Sequence, residues 1–258
     1  MSIAVLVVLA FLCETVDSAL GMGYGTTLTP ILLLLGYPPL LIVPTILFSE
    51  FISGLLAGLF HHSCGNISLR RKSRDWRVIG VLGATGAIGA VVAVFVAVNI
   101  SKVVLKGYIG AMVLAMGLLV LLLRRKTFAF SWRRIFGFGL LSAFNKGMSG
   151  GGYGPLVVSG QILSGNTATS SIGVTSMAES IICAVGFSLY LGLNRGFAWF
   201  PENWTFALPI VAGAAVAAPV AAWTTKVVSR RVDLRLIVGV LTSVLGAWTL
   251  WNTFGHSI

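Results

Sequence analysis

The chain has 258 residues, of which 57% are hydrophobic and only 10% charged. So little polar side chain cannot clothe a water-soluble domain, and the solvent for most of the chain is a lipid bilayer. The formal charge of +11 would point to nucleic acid in a soluble protein. Here the lysines and arginines lie in short loops between apolar runs, a pattern of membrane topology that excludes a nucleic-acid partner.

In chain order, Ile3 to Cys13 is apolar but lacks the basic leader and small-residue cleavage site of a secretory signal, so it is read as structure. Residues 2 to 16 and 26 to 36 make two short arms, about 22 Å and 16 Å long as helix, too short to cross a hydrocarbon core of about 30 Å comfortably. Between them lies Asp17-Ser-Ala-Leu-Gly-Met-Gly-Tyr-Gly25, a glycine-broken turn. An apolar span over 41 to 60 carries Glu50 and is followed by His61, His62 and a basic loop from Arg70 to Arg77. Spans over 77 to 98 and 104 to 123 come next, then a second basic loop from Arg124 to Arg134. The second half opens with arms at 135 to 144 and 156 to 165 around Asn145-Lys-Gly-Met-Ser-Gly-Gly-Gly-Tyr-Gly-Pro155. Spans over 171 to 191, carrying Glu179, over 205 to 225 and over 234 to 252 complete the chain, with a third basic loop from Lys226 to Arg235. The three cysteines, Cys13, Cys64 and Cys183, have neither a disulfide pattern nor metal-ligand spacing, so no metal or other cofactor is expected.

Sliding the chain on itself by 129 residues superposes Gly21, Gly23, Tyr24, Gly25, Gly36 and Glu50 on Gly150, Gly152, Tyr153, Gly154, Gly165 and Glu179. Val103, Leu105, Gly110 and Gly117 fall likewise on Val232, Leu234, Gly239 and Gly246. The chain is therefore read as two repeats, 1 to 129 and 130 to 258. Basic loops stay cytoplasmic; the three basic loops hold fourteen of the 18 lysines and arginines, against Lys102, Lys106 and Arg195 outside and Lys146 in an apolar region. The basic loop after the first span of one repeat corresponds to a nearly neutral loop in the other, so the repeats are inverted. Inversion requires an odd number of crossings per half. The fold class expected is an all-α polytopic membrane protein of two inverted repeats, each a glycine-broken, re-entrant helical hairpin plus three transmembrane helices. A rival count makes each opening segment one broken span, gives eight crossings, and puts Lys226, Arg230, Arg231 and Arg235 outside.

Glu50 and Glu179 lie mid-span, where a charge costs roughly 3 kcal/mol or more. They are read either as protonated packing residues or as cavity-facing groups that gate the substrate or carry a proton, and their recurrence in the repeat favours the second. Asp17 and Lys146 stand at equivalent places in the two turns, where they pair with each other or Lys146 supplies fixed positive charge to an anion. The glycine turns, Gly21, Gly23, Tyr24, Gly25 and Thr26 in the first and Asn145, Ser149, Gly150, Gly151, Gly152, Tyr153 and Gly154 in the second, allow close backbone approach. The helices that begin after them offer free N–H groups to an anionic substrate. Packing through small residues is the plainer alternative. Ser142, Thr27 and Gln161 are further hydrogen-bonding candidates, and Glu14 is unassigned. His61 and His62 are read as interfacial or helix-capping. The motif Gly147-Met-Ser149-Gly150 matches the Gly-x-Ser-Gly of rhomboid-type intramembrane proteases, but the only histidine downstream is His256, two residues from the C-terminus.

With Phe11-Leu-Cys-Glu-Thr-Val-Asp17-Ser-Ala-Leu-Gly-Met-Gly-Tyr-Gly25 and Ser142-Ala-Phe-Asn-Lys-Gly-Met-Ser-Gly-Gly-Gly-Tyr-Gly-Pro155 in view, the chain resembles the TauE/SafE sulfite exporter family. The likeness includes Ser49-Glu50, the stretch His61 to Asn66, and Ile172 to Glu179. The resemblance implies a multi-pass protein of the bacterial inner membrane that exports sulfite or a small organosulfonate, not an enzyme. A proton-coupled importer of a related sulfur anion is the alternative. A homodimer is compatible with such a protein.

Overall fold

The computed structural model describes residues 2–123, 132–163, 167–195, 199–231 and 234–255. Its helices are α1 (Ile3–Leu20), α2 (Tyr24–Leu34), α3 (Pro39–Ser63), α4 (Arg74–Asn99), α5 (Lys102–Leu123), α6 (Trp132–Ser149), α7 (Gly154–Leu163), α8 (Ala168–Tyr190), α9 (Trp199–Arg231) and α10 (Leu234–Phe254), with a π-helical turn at Leu191–Arg195 after α8. No strand occurs among the described residues. The six spans read from the sequence fall on α3, α4, α5, α8, α9 and α10. Parts of the second and third basic loops lie outside the described residues, as does His256.

Local chemistry fixes several boundaries. Pro38 and Pro39 start α3 where the missing N–H costs no helical bond. The Ser73 hydroxyl accepts from Trp76 N at the start of α4, and Thr167 does the same for Ser170 N at α8. The sequence reading ended the first arm at residue 16 and set Asp17 in the turn; α1 in fact runs through Asp17 to Leu20. The opening arm of the second half, read as 135 to 144, likewise runs from Trp132 through Lys146 to Ser149. Nothing in Asp17-Ser-Ala-Leu20 breaks a helix, so the break waits for Gly21, whose φ of 69° is the left-handed conformation that ends helices.

The first arm is not too short to cross, as residues 2 to 16 suggested: at 18 residues α1 is about 27 Å long, and it joins α3, α4, α5, α8 and α9 among the described helices long and apolar enough to cross a membrane. The short helices α2 and α7, of 11 and 10 residues, reach only about 16 Å and 15 Å. Large apolar side chains such as Ile88, Val92, Trp223 and Trp251 are exposed, while Glu14, Asp17, Glu50, Lys146 and Glu179 are buried. That is the reverse of a water-soluble protein and suits a lipid surround.

The packing has a regular plan: α1 lies along α9 and α6 along α4, α3 touches α9 and α8 touches α4, while α3 meets α8 and α5 meets α10. Small residues let the axes close. A Cβ on Gly89 of α4 would stand 2.6 Å from Leu140 O of α6, and one on Gly213 of α9 would collide with Val7 O of α1. The short helices and both turns are thereby held inside a frame of longer helices.

Candidate functional site

The two glycine turns are built alike. Gly21 N–H bonds Asp17 O and Gly150 N–H bonds Lys146 O, with Gly21 and Gly150 at φ 69° and 75° and Gly23 and Gly152 at φ 133° and 82°. These left-handed values favour glycine over any residue with a Cβ. The turns also touch. A Cβ on Gly25 would overlap the carbonyl oxygen of Gly150, and one on Gly154 would overlap that of Gly21. The two contacts are related by the same 129-residue offset, and each brings main chain against main chain where a methyl group has no room.

Lys146, in the last turn of α6, sends its ammonium between two carboxylates. Its Nζ is ion-paired to Glu50 Oε2 on α3 and to Glu179 Oε1 on α8, the latter at 2.7 Å. The contact between α3 and α8 is what allows two glutamates 129 positions apart to converge on one lysine. All three side chains are buried, at 1%, 4% and 7% exposure respectively. Among residues whose side chains are described, Lys146 is the only buried lysine or arginine. A buried ammonium is tolerable only when paired and hydrogen-bonded, and two carboxylates meet that condition. The Cys183 thiol lies 4.0 Å from Glu50 Oε2, while Glu50 Oε1 is buried with no hydrogen-bond partner.

Asp17 is engaged elsewhere. Its Oδ1 accepts from the N–H of Tyr24 at 3.0 Å, across its own turn. Of the two readings of Lys146, the pairing with Asp17 gives way to the pair of glutamates, because the last turn of α1 aims the shorter Asp17 side chain at the start of α2. That bond also occupies an N–H which the sequence reading left free for an anion. Glu14, buried one turn earlier, accepts from Ser18 Oγ at 2.6 Å.

The remaining candidates separate into engaged and open groups. Thr26 Oγ1 donates to Gly23 O at 3.2 Å, and Ser149 Oγ donates to Asn145 O at 2.7 Å while accepting from Gly151 N. The Asn145 side-chain oxygen accepts from Tyr108 OH at 2.5 Å. The Tyr24 hydroxyl is 2.7 Å from Ser49 Oγ. Tyr153 OH and Ser142 Oγ, by contrast, are buried without a partner. Among the described residues no group of His, Cys, Asp and Glu is arranged to hold a metal ion.

His61 departs from its expected interfacial role. It is fully buried, its Nε2 is 3.3 Å from Ser18 O, and its Nδ1 is 2.9 Å from Asn66 Nδ2. The Nδ2 amino group of Asn66 can only donate, so Nδ1 accepts and the Nε2 proton points at Ser18 O. In the other half Tyr190 OH donates to Gly147 O at 2.9 Å. Positions 61 and 190, like 18 and 147, are 129 apart, an equivalence that residue identity hides because histidine and tyrosine share only a ring that donates.

A sequence profile described as "Sulfite exporter TauE/SafE" matches residues 6–249. The chain is similar to the "Probable membrane transporter protein YtnM" of Bacillus subtilis (strain 168), at 27% identity over 263 residues covering 96% of this chain and 83% of that one. No solved structure matches.

Proposed function

The chain belongs to the sulfite exporter TauE/SafE family and is a multi-pass transporter of the cell membrane, not an enzyme; from that premise we propose that it exports a small sulfur oxyanion, sulfite or a small organosulfonate. The substrate passes a midplane site between two glycine turns carried by halves of opposite orientation, 1 to 129 and 130 to 258, whose opening helices form re-entrant hairpins.

The observation that carries this reading is the buried Lys146 ammonium, held beside the point where the two turns meet main chain to main chain. Positive charge in a low-dielectric site is what an anion needs to leave water, and Lys146 offers it when Glu50 and Glu179 are protonated or displaced. The inverted arrangement is supported by the packing, in which α1 on α9 has its counterpart in α6 on α4. It is supported again by the contacts of Gly25 with Gly150 and of Gly154 with Gly21. Outward flow of an anion follows the membrane potential, about 2.3 kcal/mol per charge per 100 mV, and needs no coupled ion.

The same cluster favours a second reading, proton-coupled movement of a related sulfur anion. An anion that takes the place of Glu50 or Glu179 on the Lys146 ammonium leaves a carboxylate in a dry site, which is costly unless it takes a proton. Counterflow in proteoliposomes separates the readings. Exchange of labelled sulfite or sulfonate without dependence on a proton gradient supports uncoupled export, and flux that follows the gradient supports coupling. Exchange of sulfate or chloride, with neither sulfite nor a sulfonate moved, would refute both.

A further inference from the structure

The halves treat one tyrosine in opposite ways. Tyr24 and Tyr153 occupy equivalent places after the two turns, and both are fully buried. The Tyr24 hydroxyl has Ser49 Oγ at 2.7 Å. The residue 129 positions on from Ser49 is Ala178, which packs in one buried cluster with Tyr153 and offers no hydroxyl. Tyr153 OH is accordingly left without a hydrogen-bond partner. A buried hydroxyl with no partner costs stability, so a missing partner at the one position that supplied it in the other half calls for an occupant.

The surroundings name its chemistry. Tyr153 shares its buried cluster with Ala178, whose chain neighbour Glu179 is ion-paired to Lys146. An unpartnered phenol hydroxyl in the cluster that adjoins this ion pair suits a ligand that is anionic and carries oxygen acceptors: one oxygen takes the tyrosine proton while the charge meets the lysine.

We propose that Tyr153, and not Tyr24, is the specificity-determining hydroxyl of the transport site, donating to an oxygen of the bound oxyanion, and that alanine at position 178 keeps it free to do so. The assignment deepens the anion reading above and rests on it. It predicts that oxyanions are favoured over halides, since chloride offers the lysine a charge but gives the phenol no oxygen lone pair of fixed direction.

The test is to fill the vacant partner. Ala178→Ser supplies the second half with the hydroxyl that Ser49 supplies to the first, engages Tyr153 internally, and adds only one atom to the side chain. Purified protein is first screened by thermal unfolding with sulfite, methanesulfonate, sulfate and chloride. If none of the four stabilises it, the anion reading and this assignment fall together. With the anion that stabilises most, Tyr153→Phe and Ala178→Ser should each raise the concentration needed for half-maximal stabilisation and the transport KM, on the order of tenfold or more for a lost bond to a charged acceptor. Ser49→Ala, which frees Tyr24, should leave both near wild type. Ligand-free melting of Ala178→Ser at or above wild type establishes that the variant is folded, and Tyr153→Phe serves if it is not. If the protein binds an anion but both Tyr153→Phe and Ala178→Ser keep wild-type affinity, the Tyr153 proton is spent on water and the assignment is overturned. Equal losses from Ser49→Ala would overturn it as well.

Discussion

Lys146→Gln removes an ammonium that is 1% exposed and leaves the carboxylates of Glu50 and Glu179, 4% and 7% exposed, without the charge they share. Removing one partner of a buried ion pair costs about 3–5 kcal/mol, most of it the penalty of the charge left behind. A chain of this size shifts its melting temperature by about 2–4 °C per kcal/mol, so a fall on the order of 6–20 °C is expected in detergent. The identity of the partner decides what rescues it. Adding Glu179→Gln removes a stranded carboxylate and should recover a large part of the loss, whereas Asp17→Asn should not, since Asp17 Oδ1 is already bonded to Tyr24 N. Thermal unfolding of the single and double variants reads this directly. A Lys146→Gln variant that melts with the wild type would refute the ion-pair reasoning, and rescue by Asp17→Asn alone would make Asp17 the partner instead.

Gly25→Ala and Gly154→Ala should each prevent correct folding or cost at least the upper end of the usual overpacking range of about 1–3 kcal/mol, because the added methyl meets a carbonyl oxygen of the opposite turn. Gly80→Ala, in open space on α4, should be neutral or stabilising by up to about 1 kcal/mol; size-exclusion profiles and melting compare the two classes. Glu50→Gln and Glu179→Gln should insert and fold but flatten the pH profile of transport in liposomes, since the net charge of the cluster depends on how many protons its carboxyls hold. Wild-type profiles in both would reduce these residues to packing. Tyr190→Phe should lose about 1 kcal/mol for the bond to Gly147 O, and His61→Ala about 2–5 kcal/mol because it also empties the buried ring's space, both measured by thermal unfolding. A reporter fused after Ile258 should report the extracytoplasmic side, and an active cytoplasmic reporter there would defeat the hairpin arrangement.

Hydropathy made the long helices legible, because lipid demands about 20 consecutive apolar residues and leaves little freedom over where they begin. It misjudged α1 and α6, where Asp17 and Lys146 look like turn residues in sequence yet sit in the last helical turn. A polar residue ends a helix by competing for main-chain bonds, and each of these instead sends its charge across to another element: Asp17 to the start of α2, and Lys146 to α3 and α8. The two glutamates were legible as a pair from their offset and their cost in lipid. Their convergence on Lys146 was not, because it depends on α3 and α8 lying side by side. The engaged states of Thr26, Ser149 and Tyr24 were equally hidden, since a sequence lists hydroxyls without their partners.

The pairs of residues 129 apart divide by what each position touches. Where main chain meets main chain, at Gly21 and Gly150 or Gly25 and Gly154, the residue is the same in both halves, because only glycine fits the angle or the gap. Where a side chain ties one helix to another, the residue changes and the bond persists, as with His61 on Ser18 O and Tyr190 on Gly147 O. Where the side chain bears charge or an open hydroxyl, the halves diverge outright: aspartate at 17 against lysine at 146, and serine at 49 against alanine at 178. If the halves are read as repeats, shared backbone contacts constrain both copies, whereas the single central site proposed above needs only one ammonium and one free donor. On the proposed function, this divergence assigns the chemistry to the second half, around Lys146 and Tyr153, and leaves the first half to complete the carboxylate pair through Glu50.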